Sequence, residues 1–181
     1  MPHILLAYST TDGHTRKICQ RLQQLIEGRD QRVTLFAIND ATAGELSALD
    51  PGQFDKIVIG ASIHYGKHHK KVNEFISLHQ PVLERKANAF FTVNVVARKP
   101  EKNTPDSNPY LKKFLRKITW KPAHLAVFAG RIEYRRYGPL DRFMIRLIMR
   151  LTGGPTAPDT DVEYTDWARV DDFAQLVCKM Q

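Results

Sequence analysis

Hydrophobic positions along the chain follow two alternating spacings. Short runs of branched and aromatic residues occur at Ile4–Tyr8, Val33–Phe36, Ile57–Gly60, Ala89–Val95 and Leu125–Ala129. Each is apolar on both faces, as strands buried inside a parallel sheet are. Helical stripes separate them. Ile18, Leu22, Leu25 and Ile26 recur at i, i+4, i+7 and i+8, with Gly28 standing where a helix C′ residue stands. Val72, Phe75 and Ile76 make a shorter stripe. Leu111, Phe114, Leu115 and Ile118 make another, behind the start signal "TPDSNP", and Val170, Phe173, Ala174 and Val177 make the last. Between the second and third strands the helical pattern rests on Leu46 and Leu49 alone. This alternation predicts an α/β fold: a doubly wound, five-stranded parallel sheet with helices on both faces. In such sheets ligands bind beyond the carboxyl ends of the strands, near the point where strand order reverses. The loops after strands one, three and four are therefore where chemistry is expected.

One segment breaks the alternation. A long basic helical insertion follows strand five at about 130–161, inside what reads as a single domain over residues 1–181. Its helix is bounded by Pro139 and by Gly153-Gly154-Pro155. At ~100° per residue, Arg142, Arg146 and Arg150 share one stripe. Leu140, Phe143, Met144, Leu147, Ile148 and Leu151 fill much of the remainder, with Ile145 and Met149 flanking the arginines. Arg131, Arg135 and Arg136 enlarge the basic patch. The apolar arc is wider than docking one face on a sheet requires. Three readings stay open: a core-packed helix with a solvated arginine face, an interfacial helix on anionic lipid, and a substrate lid whose guanidinium groups pair with carboxylates. The last two are compatible.

Composition narrows the partners. Twenty-seven Lys and Arg against 19 Asp and Glu give a net charge of +8. The excess favours anionic small molecules or an anionic surface. Nucleic acid is not expected, because the basic residues cluster beside an apolar helix and no nucleic-acid motif is present. No apolar run approaches the roughly 20 residues of a spanning helix. The strand pattern starts at once, so no signal peptide is expected. Cys19 and Cys178 read as reduced structural thiols, and no metal site is expected.

The loop after strand one, "AYSTTDGHT", gathers Ser9, Thr10, Thr11, Asp12, Gly13, His14 and Thr15 ahead of a helix. A helix N-terminus offers unpaired N–H groups and partial positive charge, and the hydroxyls add donors, so one terminal phosphate fits here. The segment lacks the lysine of a P-loop and the spaced glycines of a dinucleotide fingerprint, which points to a mononucleotide. Ordinary capping and turn formation use the same residues, and both readings remain open. After strand three, Ser62, Ile63, His64, Tyr65 and Gly66 bring aromatic faces to the same edge. After strand four, Asn94, Val95, Val96, Ala97 and Arg98 offer polar side chains and backbone groups.

Together "YSTTDGHT", "GASIHYG", "VNVVARKPEKNTP", "LDRFMIRLIMRLTGG" and "YTDW" resemble the long-chain, flavodoxin-like protoporphyrinogen IX dehydrogenases of enteric and related bacteria. The likeness runs from about Ile4 to Phe173. It implies a flavodoxin-like sheet and bound FMN, with its phosphate at Ser9–Thr15 and its ring flanked by Ser62–Gly66 and Asn94–Arg98. It also implies oxidation of protoporphyrinogen IX, with electrons passed to menaquinone or ubiquinone. The work would be done peripherally at the cytoplasmic face of the inner membrane. No catalytic acid or base is identified, although His64 and Tyr65 are candidates for proton handling. Alternatives are a flavodoxin-type electron carrier, whose family is commonly acidic, a flavin NAD(P)H:quinone reductase, and a flavin-free receiver module. A receiver needs a clustered acidic pocket, which "AYST" and "VIGAS" lack.

Overall fold

A computed structural model describes residues Met1–Gln181. In chain order the framework is β1 (His3–Ser9), α1 (His14–Glu27), β2 (Arg32–Ala37), α2 (Ala43–Ala48), β3 (Lys56–His64), β4 (Lys67–His68), α3 (Lys70–Leu83), β5 (Ala87–Asn94), α4 (Pro109–Lys117) and β6 (His124–Ala129). The inserted segment contributes β7 (Arg131–Glu133), α5 (Pro139–Thr152) and β8 (Asp161–Glu163), and α6 (Trp167–Lys179) closes the chain. Five strands run parallel in the order β2-β1-β3-β5-β6. Strand order reverses at β1 and β3, so the crevice beyond their carboxyl ends is the ligand position of a doubly wound sheet.

Strand periodicity sorts the apolar residues into two cores. Leu5, Ile57, Ile59 and Phe90 face one layer with Phe75, Leu111 and Trp120. Leu6, Val58 and Phe91 face the other, against Leu22 and Ile26 of α1 and Val170, Phe173 and Val177 of α6. Consecutive residues enter opposite cores because side chains alternate across a strand. Gly60 carries a packing role here: a Cβ on it would lie 2.1 Å from the Phe91 ring, which crosses β3 at that point.

Several local features differ from the sequence pattern. β3 runs to His64, past the expected Gly60, because Ala61 and Ser62 still pair with Ser9 and Val93 and the chain then folds back as β4. Gly28 caps α1 in right-handed geometry (φ −65°), and the left-handed turn falls instead on Asp30 (φ 56°). The weakly patterned α2 is held by a capping box between Thr42 and Glu45. In the insert, β7 and β8 form an antiparallel pair around α5, which ends at left-handed Gly153 (φ 72°). Ile132, Tyr134 and Met149 give the insert its own small core. No helix is long and apolar enough to cross a membrane. Both cysteines are free, and burial pushes the Cys19 thiol pKa upward.

Candidate active site

A cavity of about 440 Å³ opens at the carboxyl edge of β1, β3 and β5, within the size range of small-molecule sites. Its floor is the turn into α1. Gly13 takes φ 90° at the N-cap and contributes no capping side chain, and no acid stands in the first helical turn. The loop is braced internally: Asn39 accepts from the Thr10 N–H at 3.0 Å, Thr10 Oγ1 from Gly13 at 3.0 Å, and an Asp12 oxygen from His14 at 3.2 Å. One group is left over. Thr15 Oγ1 is buried with no hydrogen-bond partner, a state that folded chains rarely tolerate without a ligand or water. Thr11 and Ser62 face each other across the cavity, hydroxyls 3.4 Å apart.

His14 lines the cavity and is held from behind. Thr165 donates its hydroxyl proton to Ala129 C=O, so its oxygen accepts from His14 Nε2–H at 2.6 Å. Burial lowers the His14 pKa and keeps the ring neutral, against the pull of Glu163 and Asp12. Glu163 in turn accepts from Lys17 and the Trp167 indole, fastening β8 and α6 to the start of α1.

The second wall is the β3–β4 turn. Tyr65 (φ 48°) and Gly66 (φ 75°) are both left-handed, as the two central residues of a tight hairpin turn are. The His64 and Tyr65 rings lie 4.0 Å apart between centroids, and Tyr65 remains exposed to the cavity. After β5, Val95 and Val96 reach the cavity, and Asn94 lines it while spending its side chain on the Ala97 N–H and on Asn108. Ala97 is buried away from it. Arg98 turns outward to the Thr152 carbonyl and hydroxyl, both at 3.1 Å, so these two lie outside the cleft that "ARKP" was expected to line. Ser9 is buried in the sheet, Thr10 serves the loop, and Gly13 borders a smaller neighbouring hollow.

The insert forms the roof. Arg131, Arg136, Tyr137, Asp141, Ile145, Ile148 and Met149 close the cavity from above, with Tyr110 of α4 and Gly130 at its sides. Sequence reasoning misses Val93, Tyr110, Gly130, Tyr137 and Asp141, and does not assign Ile145, Ile148 and Met149 to the site. The wide apolar arc was the available signal. It comprises two stripes, one inward through Ile145, Ile148 and Met149, and one outward through Leu140 (72% exposed), Phe143 (64%), Leu147 (42%) and Leu151 (79%).

The arginines mostly hold the insert in shape. Arg142 donates to the Tyr134 and Tyr137 carbonyls, and Arg146 to that of Thr156. Arg131 pairs with Asp161 and Glu133, and Arg136 with Glu133 while reaching the Asp12 carbonyl. Arg135 and Arg150 are exposed and stand outside the cavity. The expected single cationic stripe is thus divided between internal fastening and the protein surface.

A family model described as a flavodoxin domain matches residues 5–159. A protoporphyrinogen IX dehydrogenase (quinone) of Escherichia coli is 40% identical over 97% of this chain and 94% of its own length. The chain belongs to that flavodoxin-like dehydrogenase family. A Leishmania major relative of the same name is 39% identical over 96% of this chain and 73% of its own. Among solved structures, rubredoxin oxygen:oxidoreductase of Desulfovibrio gigas superposes with TM-score 0.56 at 11% identity, covering 98% of this chain and 35% of that one. That likeness concerns the fold alone. The matched residues run past the sheet and include α5, which roofs the cavity in this chain.

Proposed function

We propose that this chain binds FMN and oxidises protoporphyrinogen IX to protoporphyrin IX, passing the electrons to a respiratory quinone, menaquinone or ubiquinone. The observation that carries the reading is the unpartnered, buried Thr15 hydroxyl at an uncapped helix start, beneath an exposed tyrosine and an apolar roof. The residues present fit the cofactor. The Thr15 hydroxyl and the N–H groups of Thr15 and Arg16, which precede the first intrahelical bond, suit a terminal phosphate, while Tyr65, Ile145 and Ile148 suit a planar ring. When bound, the flavin supplies two-electron chemistry, and the protein supplies position and electrostatics.

The chain's own residues divide the work. Thr11, Ser62 and Thr15 offer neutral donors, so an anion is held without a lysine. His14, kept neutral by burial, adds no positive charge to the floor. Ile145, Ile148 and Met149 exclude water above the ring position. The outward stripe of Leu140, Phe143, Leu147 and Leu151, with Arg150 beside it, supports a peripheral position on an anionic membrane face, where a quinone dissolves. Arg135 adds surface charge near the same helix. Anaerobic assay of the purified, FMN-loaded chain tests the reading. Protoporphyrin fluorescence should appear only when a menaquinone analogue is added. A loaded chain that oxidises no protoporphyrinogen with any quinone, or that works equally well without an acceptor, refutes it.

A further inference from the structure

Asp141 is the one charged residue on the cavity-facing side of α5, one turn ahead of Ile145 and two ahead of Ile148. It makes no ion pair with a lysine or arginine, although the chain carries a net charge of +8. The nearest arginine on the helix, Arg142, is committed to two backbone carbonyls. Asp141 instead accepts the Tyr65 hydroxyl across the cavity mouth, and His64 Nε2 stands 4.0 Å away. Tyr65 reaches it from a left-handed backbone position that L side chains rarely take. Strain of that kind persists where the surroundings hold it, and it clusters at functional positions. The contact also joins parts distant in sequence, the β3–β4 turn and the first turn of the insert. The hydrogen bond to Asp141 favours the neutral phenol and raises its pKa.

We propose that Asp141 is a positioning residue for the tetrapyrrole: by holding the Tyr65 phenol against the first turn of α5, it fixes the width of the cavity mouth and so seats the substrate. The inference rests on the functional reading above. The roof is already fastened at its far end by Arg98 and Thr152 and at its near end by Arg136 and Asp12. The Tyr65–Asp141 contact is the tie that crosses the opening itself.

The test compares Tyr65→Phe, Asp141→Ala, the double variant and Asp141→Asn, all loaded with FMN. Each of the first two should raise KM for protoporphyrinogen about 5-fold, the loss of one net hydrogen bond. In Asp141→Ala and Asp141→Asn, whose changed side chain lies outside the residues assigned to the flavin, saturated kcat and the FMN content per chain should stay at parent values. The double variant should match either single, because both remove the same contact. Asp141→Asn, whose amide oxygen still accepts from the phenol, should stay within about 2-fold of the parent. Additive losses, an unchanged KM in the single variants, or no rescue by Asn would overturn the proposal. If the parent chain itself binds no FMN or leaves protoporphyrinogen untouched, the functional reading fails instead. Limited trypsin digestion of the FMN-free chain then decides the contact. Faster cutting after Arg135 and Arg136 in Tyr65→Phe and Asp141→Ala, but not in Asp141→Asn, upholds it, and equal rates overturn it.

Discussion

Changing Thr15 to Val separates a ligand-binding hydroxyl from a structural one, because the two roles predict opposite signs. Thr15 is fully buried and its Oγ1 has no partner in the protein. An unsatisfied buried hydroxyl costs roughly 1–3 kcal/mol relative to an apolar group of the same shape. Val keeps the β-branched shape, and the two residues have similar helix propensities, so backbone preference contributes little. The FMN-free chain should therefore gain about 1 kcal/mol, seen as a rise of about 2–4 °C in Tm for a domain of this size. Binding should move the other way. A hydrogen bond to a charged group contributes about 1.5–3 kcal/mol, so FMN affinity should fall about 10- to 100-fold. Differential scanning fluorimetry of the ligand-free chain and titration of FMN by fluorescence quenching read the two effects separately. A variant that loses stability without cofactor and binds FMN as the parent does would refute the reasoning.

Three further outcomes follow from other parts of the molecule. Gly60→Ala places a methyl 2.1 Å from the Phe91 ring and should lower stability by about 1–3 kcal/mol, read as a reduced urea midpoint; Gly60→Ala combined with Phe91→Leu should recover part of it. His68, edge-on against the stacked Phe90 and Phe114 rings, has its pKa pushed down by burial to about 3, so the unfolded chain binds the extra proton between pH about 6.5 and about 3. Stability should fall as pH falls through that window, by up to about 1.4 kcal/mol per pH unit from this group, and His68→Asn should flatten the slope in acid-unfolding curves. Phe143→Ser with Leu147→Ser, both on the outward stripe of α5, should reduce sedimentation with phosphatidylglycerol vesicles several-fold while leaving FMN bound; unchanged sedimentation would count against the membrane-facing reading.

The framework was legible because each strand carries a local signature. Phe90 and Phe91, adjacent in sequence and buried in opposite cores, mark a strand covered on both faces. The turn after β1 was legible as a cluster of small donors, but not which hydroxyl stays free. Thr10 and Asp12 brace the loop, and Thr15 carries the fully buried hydroxyl without a partner. That division depends on Asn39, which arrives from the end of β2 and has no sequence signal linking it to Thr10.

Arg98 was misplaced for a similar reason. Its Thr152 partner lies 54 positions away at the far end of α5, a contact that only the folded insert creates. Helical periodicity groups Arg142, Arg146 and Arg150, yet Arg142 and Arg146 close hydrogen bonds to carbonyls in the segments flanking α5. Periodicity reports which face a residue shares and cannot report which carbonyls another segment leaves unpaired. Asp141 escaped notice because an acid in the first turn of a helix already has an adequate local role, and its link to Tyr65 depends on where the β3–β4 turn is placed.

The most direct test of the account is a crystal structure of the chain with FMN bound. The cofactor phosphate should lie within hydrogen-bonding distance of the Thr15 hydroxyl and the first N–H groups of α1, with the isoalloxazine ring between Tyr65 and the Ile145–Ile148 roof. A flavin bound elsewhere, or a phosphate that leaves the Thr15 hydroxyl unpartnered, would contradict it.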